Sequence, residues 1–367
     1  MAKKQITYKE KYQPIVFPQD EQKHNHIIEW WYFNGNLKTK SGKIYSFMDC
    51  LFAAKPKKVD IPFLKKIPVG QLFFSHYLLS DNTKYFWKAL NPFCVLDSNS
   101  FTKPLLWANY DNNCLIQETK PYEYQVVNEF IDLKMRSIKP PLLLNKTGFL
   151  DLEVKTTYYY SLTRLETKGH IKINNQWIEV EGLSWMDHQW AQTPATDDDK
   201  WTWFSLQLNN NTEIIVFVYG NKIKTFHASL SDARGDTKST DNVIFKEAGV
   251  NYKSPDTGHV YQLGHIIEIP EFKAKLTVVP FKKDQEMIFG NISYWEGGIK
   301  VTGELNGKKV EGLGFAEITA NIRSEKIASS LWKNIGKKGL WKNIQDISDI
   351  GAKTVYFVNK NIINKPK

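Results

Sequence analysis

The stretch EGLSWMDHQWAQ, residues 181–192, sets a carboxylic acid and an imidazole, Asp187 and His188, side by side between two tryptophans, Trp185 and Trp190. Indole rings exclude water. A carboxyl enclosed by them is desolvated, which disfavours its charged form and raises its pKa. Such a group can stay protonated near neutral pH and deliver a proton. The same indole faces stabilise a nearby carbocation through their negative quadrupoles. An acid in an aromatic box is equipment for protonating an alkene or polarising a polyene. The plain alternative is that Asp187 ties down a turn by accepting backbone N–H bonds, while Trp185 and Trp190 pack as core.

Other chemistries fit less well. Ser184 lies near Asp187 and His188, but no GxSxG elbow and no doubly wound α/β pattern is there to hold a nucleophile. His24, His26 and Glu29, or Asp187 and His188, are metal-ligand types. There is no HExxH, however, and eight histidines scattered over 367 residues make no tight cluster, so no metal and no cofactor are expected. Cys50, Cys94 and Cys114 have no CxxC spacing and read as reduced thiols.

The elements that must position these groups are strands. Aromatic residues make up 14% of the chain, with 12 Trp, 17 Tyr and 21 Phe, which favours wide cavities and β-structure. IIEWWYFNGNL (27–37), the turn KTKSG (38–42) and KIYSFMDCLFAA (43–54) predict a β-hairpin. Alternating runs recur up to about residue 320, and helical periodicity is nearly absent before about 322. The class is mostly antiparallel β, barrel or sandwich. The polar loop SLSDARGDTKSTDN (229–242) is the best mid-chain boundary. The expected division is an extension over 1–23, domains over 24–228 and 229–320, and a tail over 321–367.

Side chains alternate faces along a strand. Trp185, Asp187 and Gln189 then share one face, and Met186, His188 and Trp190 the other. In WTWFSLQL (201–208), Trp201, Trp203, Ser205 and Gln207 share a face suited to a ligand cavity, with apolar walls and a few polar groups. Glu29 and Trp31 share one face of their strand, Trp30 and Tyr32 the other; one pair should line the cavity. Tyr294, Trp295 and Glu296 are ambiguous in the same way, and Gly297 and Gly298 after them suggest a tight bend. Glu317 reads as a strand residue without a role.

Charge narrows the partners. Residues 321–367 hold ten Lys and Arg against three Asp and Glu, so +7 of the total +10 sits in this tail. The body is close to neutral, which argues against a nucleic-acid partner. In the tail LWKNI occurs twice, at 331–335 and 340–344, with Ile327, Leu331 and Ile335 on one helical face. An amphipathic helix over 322–350 could dock on the body or lie at a membrane surface. No apolar run has the length of a signal peptide or a membrane span, so the expectation is a cytoplasmic protein, with peripheral contact at a membrane surface as the alternative for the tail.

HNHIIEWWYFNGNL resembles the opening signature of the AttH and carotenoid 1,2-hydratase (hydroxyneurosporene synthase) family. GLSWMDHQWAQ followed by WTWFSLQL resembles its middle signature, and VNYKSPDTGHVYQLGHIIEIPE with YWEGGIKVTGELNGKKVEGLGFAEIT the closing ones. The resemblance covers roughly residues 24–320. It implies two packed lipocalin-like β-barrels and cofactor-free hydration of a C=C bond in an acyclic isoprenoid. It also implies that Asp187, two residues after the aromatic Trp185, is the proton donor. Here the element reads WMDHQW where the photosynthetic hydratases have YxD, closer to the AttH branch.

The expected activity is acid–base chemistry on a C=C bond of an apolar isoprenoid or polyene: hydration, isomerisation or cyclisation. Asp187 donates the proton. Trp185, Trp201 and Trp203 shape the cationic region, and His188 or Gln207 positions water. Glu29, Trp30, Trp31, Tyr32, Tyr294, Trp295 and Glu296 complete the expected binding set. The rival expectation is a lipid or isoprenoid carrier without turnover.

Overall fold

The computed structural model describes residues 10–56, 58, 70–91, 94–111, 114–152, 155–193, 200–220, 224–289 and 292–320. The basic tail, and with it the expected amphipathic helix, lies outside the described residues. Among the described residues no helix is long and apolar enough to cross a membrane.

The period-two patterns form strands. The first twelve are β1 (Ile28–Thr39), β2 (Ile44–Ala54), β3 (Leu72–Ser80), β4 (Phe86–Asn91), β5 (Trp107–Tyr110), β6 (Cys114–Lys120), β7 (Glu123–Val127), β8 (Ile131–Ser137), β9 (Leu142–Leu143), β10 (Phe149–Asp151), β11 (Thr156–Ile173) and β12 (Gln176–Ala191). They build one curled antiparallel sheet in the order β4-β3-β2-β1-β12-β11-β8-β7-β6-β5, with β9 and β10 on β11. The predicted hairpin is β1–β2, registered from Ile28 opposite Ala54 to Lys38 opposite Ile44.

A second sheet follows. Its strands are β13 (Trp201–Leu208), β14 (Glu213–Tyr219), β15 (Thr225–Ser231), β16 (Thr237–Thr240) and β17 (Ile244–Glu247), then, after the small pair β18 (Asn251–Lys253) and β19 (Val260–Gln262), β20 (His265–Ile269), β21 (Ala274–Pro280), β22 (Glu286–Phe289), β23 (Ile292–Leu305) and β24 (Lys308–Thr319). The order is β16-β15-β14-β13-β24-β23-β21-β20-β17, with β22 on β23. The chain thus changes sheet between Ala191 and Trp201, not at the 228/229 boundary expected from the polar loop. That loop is the β15–β16 hairpin inside the second sheet, and its polarity is that of an exposed turn: Asp232 Oδ1 accepts the Arg234 and Asp236 N–H groups.

Each sheet wraps its own core. Trp31, Phe33, Phe47, Tyr160 and Met186 belong to the first; Phe204, Leu206, Ile267, Trp295 and Val301 to the second. A third apolar cluster lies between the sheets and includes Tyr32, Met48, Trp185, Trp203, Phe217 and Phe315. Polar pins cross this interface. The Asn36 side-chain amide donates to the Gly314 carbonyl at 3.0 Å, and is itself steadied within the first sheet by Ser46 Oγ, which donates to Asn36 Oδ1 at 2.6 Å. Gly298 faces these pins: a Cβ there would sit 2.0 Å from Ser46 Oγ. Gly297 and Gly298 therefore make no bend. They lie inside β23, and a side chain at Gly298 would collide with the first sheet.

The strongest pin is ionic. Glu213 on β14 is fully buried, and its carboxylate accepts from Arg164 Nε of β11, from Lys139 Nζ and, at 3.3 Å, from Thr163 Oγ1. Removing the carboxylate leaves two buried cations without compensation. We expect Glu213→Gln to cost about 3–5 kcal/mol, read as a lower urea midpoint at an unchanged m-value.

Candidate active site

β1 and β12 run antiparallel in direct register, with Tyr32 opposite Asp187 and Trp31 opposite His188. Alternation sends Ile28, Trp30 and Tyr32 of β1, and Asp187, Gln189 and Ala191 of β12, toward the second sheet. There they meet Trp201 and Trp203 of β13, Tyr294 and Glu296 of β23 and Glu317 of β24 around a cavity of about 190 Å³. Most of its wall is aromatic or aliphatic; Met48, Cys50, Phe52 and Phe217 contribute.

Asp187 is 2% exposed and its carboxyl is fully engaged. Oδ1 accepts from Ser161 Oγ at 2.5 Å and from Trp185 Nε1 at 2.6 Å; Oδ2 accepts from Tyr159 OH at 2.5 Å. Tyr159 OH in turn accepts from Trp203 Nε1 at 2.9 Å. Burial pushes the Asp187 pKa up to about 7, against these three hydrogen bonds, which favour the carboxylate. Two further acids share the cavity. Glu296 and Glu317 stand directly opposite each other on β23 and β24, and Glu296 accepts from Tyr32 OH at 3.0 Å. Burial, then the neighbouring Glu317, holds Glu296 well above the usual carboxylate range. Burial lifts Glu317 to about 7, with the Asp187 charge adding and a hydrogen bond from Trp201 opposing. Glu317 keeps part of its surface accessible, and it lines the cavity. Nearby, His76 is hydrogen-bonded to Tyr294 OH, and burial drives its pKa down to about 3, so it is neutral.

The structure divides the residues singled out from sequence. Trp30, Tyr32, Asp187, Trp201, Trp203, Tyr294 and Glu296 line one cavity. Trp185 stands behind Asp187 as a donor to its carboxylate. His188, Glu29 and Trp31 lie on the opposite face, inside the first sheet's curl, because odd residues of β1 pair with even residues of β12. His188 therefore faces away from the cavity and cannot place water in it. Gln207 lies on the correct face of β13 but at its far end. Its amide donates to the Thr163 and Ser184 carbonyls at 2.8 and 2.9 Å, tying β13 to the first sheet. Trp295 is core of the second sheet and donates to the Lys283 carbonyl.

Sequence reasoning missed Tyr159, Ser161 and Glu317. Parity held a signal for each. Tyr159 and Ser161 alternate along TTYYYSL, and Glu317 follows Phe315 on one face of GFAEIT, an acid next to an aromatic on that face.

On the opposite face a second polar group assembles. Glu29 Oε1 lies 2.7 Å from His24 Nδ1 and 2.9 Å from His188 Nε2. Burial alone would raise Glu29, but His188 and His24 outweigh it and hold its carboxyl low. Burial lowers His188 to about 4 despite Glu29.

The AttH-like family model matches residues 8–321. Kievitone hydratase of Fusarium solani subsp. phaseoli is 23% identical over 181 residues, 47% of this chain. The match spans about half, 51%, of that relative's length. Among solved structures, an AttH-type protein of Nitrosomonas europaea superposes with a TM-score of 0.70 at 24% identity, covering 85% of this chain and 98% of the other. Kievitone hydratase of Nectria haematococca gives 0.68 at 15% identity, covering 87% and 98%. At these identities the structural matches speak for the fold.

Raised folded-state pKa values set a pH dependence. Between about 4, where the unfolded carboxyls ionise, and about 7, the native protein keeps protons on Asp187 and Glu317 that the unfolded chain has released. Their contribution to stability is complete below that window and is lost as pH rises through it. We expect Asp187→Asn and Glu317→Gln each to flatten the fall in stability across this range, measured by urea unfolding at stepped pH.

Proposed function

The chain belongs to the AttH-like family, and on that footing we propose that it is a hydratase-type enzyme acting by acid–base chemistry on a C=C bond of an apolar substrate, with an isoprenoid or polyene chain as the class. The observation that carries this reading is Asp187: a buried carboxyl poised near neutral pH, on the wall of an aromatic cavity.

The proposed reaction begins with protonated Asp187. Its acidic proton passes to the less substituted alkene carbon, the π-bond breaks, and the neighbouring carbon becomes cationic. That charge develops against Trp30, Trp201 and Trp203, whose π-faces stabilise it without competing as nucleophiles. As the proton leaves, Ser161, Tyr159 and Trp185 already donate to both carboxylate oxygens, so little reorganisation accompanies ionisation. A water oxygen forms the new C–O bond. Its surplus proton returns through the cavity to Asp187, by then a carboxylate, which restores the acid. Loss of a different proton from the cation would give an isomer, and capture by a second double bond a ring. The wall chemistry is common to all three; hydration is placed first because of the kievitone hydratase match.

The test uses deuterium. Wild type and Asp187→Asn are incubated with prenylated and acyclic isoprenoid alkenes in D₂O, and products are read by mass spectrometry. We expect one deuterium and one added water with the wild type. For Asp187→Asn we expect a loss of about 10²–10⁴ in kcat with binding retained, and for the wild type a kcat/KM that falls as pH rises through about 7. Binding without label by either protein, unchanged by the substitution, would establish a carrier instead.

A further inference from the structure

We propose that His24, Glu29 and His188 form a binding site for a first-row divalent metal ion of the zinc type, on the face of the β1–β12 pair opposite the cavity. The spacing of the histidines in the sequence argued against any metal, because the two imidazoles are far apart along the chain. Folding joins them. One ligand atom from each residue, two imidazole nitrogens and a carboxylate oxygen, lies within 4.8 Å of the others. That is the N₂O set of many three-ligand zinc sites, and its imidazoles disfavour the hard cations magnesium and calcium.

The group is built rather than incidental. Glu29 is held from behind: the His24 backbone N–H donates to its Oε2 at 2.8 Å and to Oε1 at 3.1 Å. Each ring turns one nitrogen toward Glu29 Oε1 and rests the other on an oxygen, His24 Nε2 on Asp20 Oδ1 at 3.1 Å and His188 Nδ1 on Tyr160 OH at 3.3 Å. Oxygen partners on the far nitrogen are what orient imidazoles toward a metal. The ring planes are fixed by stacking, His24 on Trp190 at 3.9 Å and His188 on Trp31 at 4.8 Å between centroids. The 2.7 and 2.9 Å contacts to Oε1 are hydrogen-bond spacings. Ligand atoms around tetrahedral zinc stand about 3.3 Å apart, so the rings need to part by about half an ångström. His24 is 17% exposed while Glu29 and His188 are at most 2%, so an ion enters past His24. The bound ion would join the segment before β1 to β1 and β12, closing this end of the first sheet's curl.

The experiment takes the full chain stripped with a chelator and titrates it with Zn²⁺ by calorimetry and with Co²⁺ by visible absorption. We expect one ion per chain, an intense d–d band for cobalt, and a thermal midpoint that rises with Zn²⁺ concentration. His24→Ala, which lies outside the strands, and His188→Gln should each weaken Zn²⁺ binding at least tenfold. Asp20→Asn should weaken it about 10–100-fold. Asp187→Asn, on the other face, should bind Zn²⁺ as the wild type does. Absence of saturable binding to the wild type, or equal binding by His24→Ala, would overturn the site. Neither result bears on alkene chemistry in the cavity, so the two proposals fail separately.

Discussion

The structure rests on one strand pair that is buried on both faces. Nearly all of β1 from Glu29 to Leu37 is inaccessible or half-buried, as is β12 from Ser184 to Ala191. In most antiparallel sheets one face meets water and the alternation is apolar against polar. Here both faces meet protein, one inside the first sheet's curl and the other against the second sheet. With a side-chain period of two, the pair must supply two different interiors from adjacent residues. Trp31, His188 and Glu29 serve one, and Tyr32, Asp187 and Trp30 the other.

That arrangement explains the electrostatics on both faces. Ionisable groups set into a doubly buried wall are desolvated from every side, so each must be paired or neutral. The inner face resolves this by pairing, with Glu29 between two imidazoles. The cavity face holds carboxyls whose pKa burial raises, and resolves it by protonation. Glu296 and Glu317, opposed across β23 and β24, would repel if both were charged. The apolar cluster between the sheets supplies the burial that sustains this unfavourable arrangement, as sites tuned for chemistry commonly require.

Much of this was legible in the residues. Alternation identified the strands and the β1–β2 hairpin, and placed Asp187 on a face separate from His188. It placed Trp201 with Trp203 on the cavity wall. What stayed hidden has a common cause. Parity says which residues share a face, but not which interior that face meets, and EWWY is aromatic on both. Glu29 and Trp31 could not be told from Trp30 and Tyr32 until the second sheet was seen on one side. Gln207 has cavity parity but the wrong position along its strand, a coordinate no pattern carries. Glu317, Tyr159 and the His24–His188 contact are products of tertiary pairing between distant segments. The polar loop at 229–242 misled because an exposed hairpin and a linker between domains share a composition.

The back-to-back wall also constrains how such a chain can change length. Adding or deleting a single residue within β1 or β12 would rotate every following side chain to the other surface. Asp187 would enter the curl of the first sheet, and His188 would look into the aromatic cavity. Both interiors would be lost at one stroke unless a β-bulge took up the change, as the register shift between Leu162 and Leu165 of β11 does opposite β12. Gaps in this part of the chain are therefore best tolerated at strand ends, where turns such as Lys40–Lys43 absorb them, at such bulges, or as even-numbered changes that preserve parity. Divergence of relatives should accordingly accumulate in the turns and in the second sheet's half of the cavity, while the residue count across β1 and β12 stays fixed.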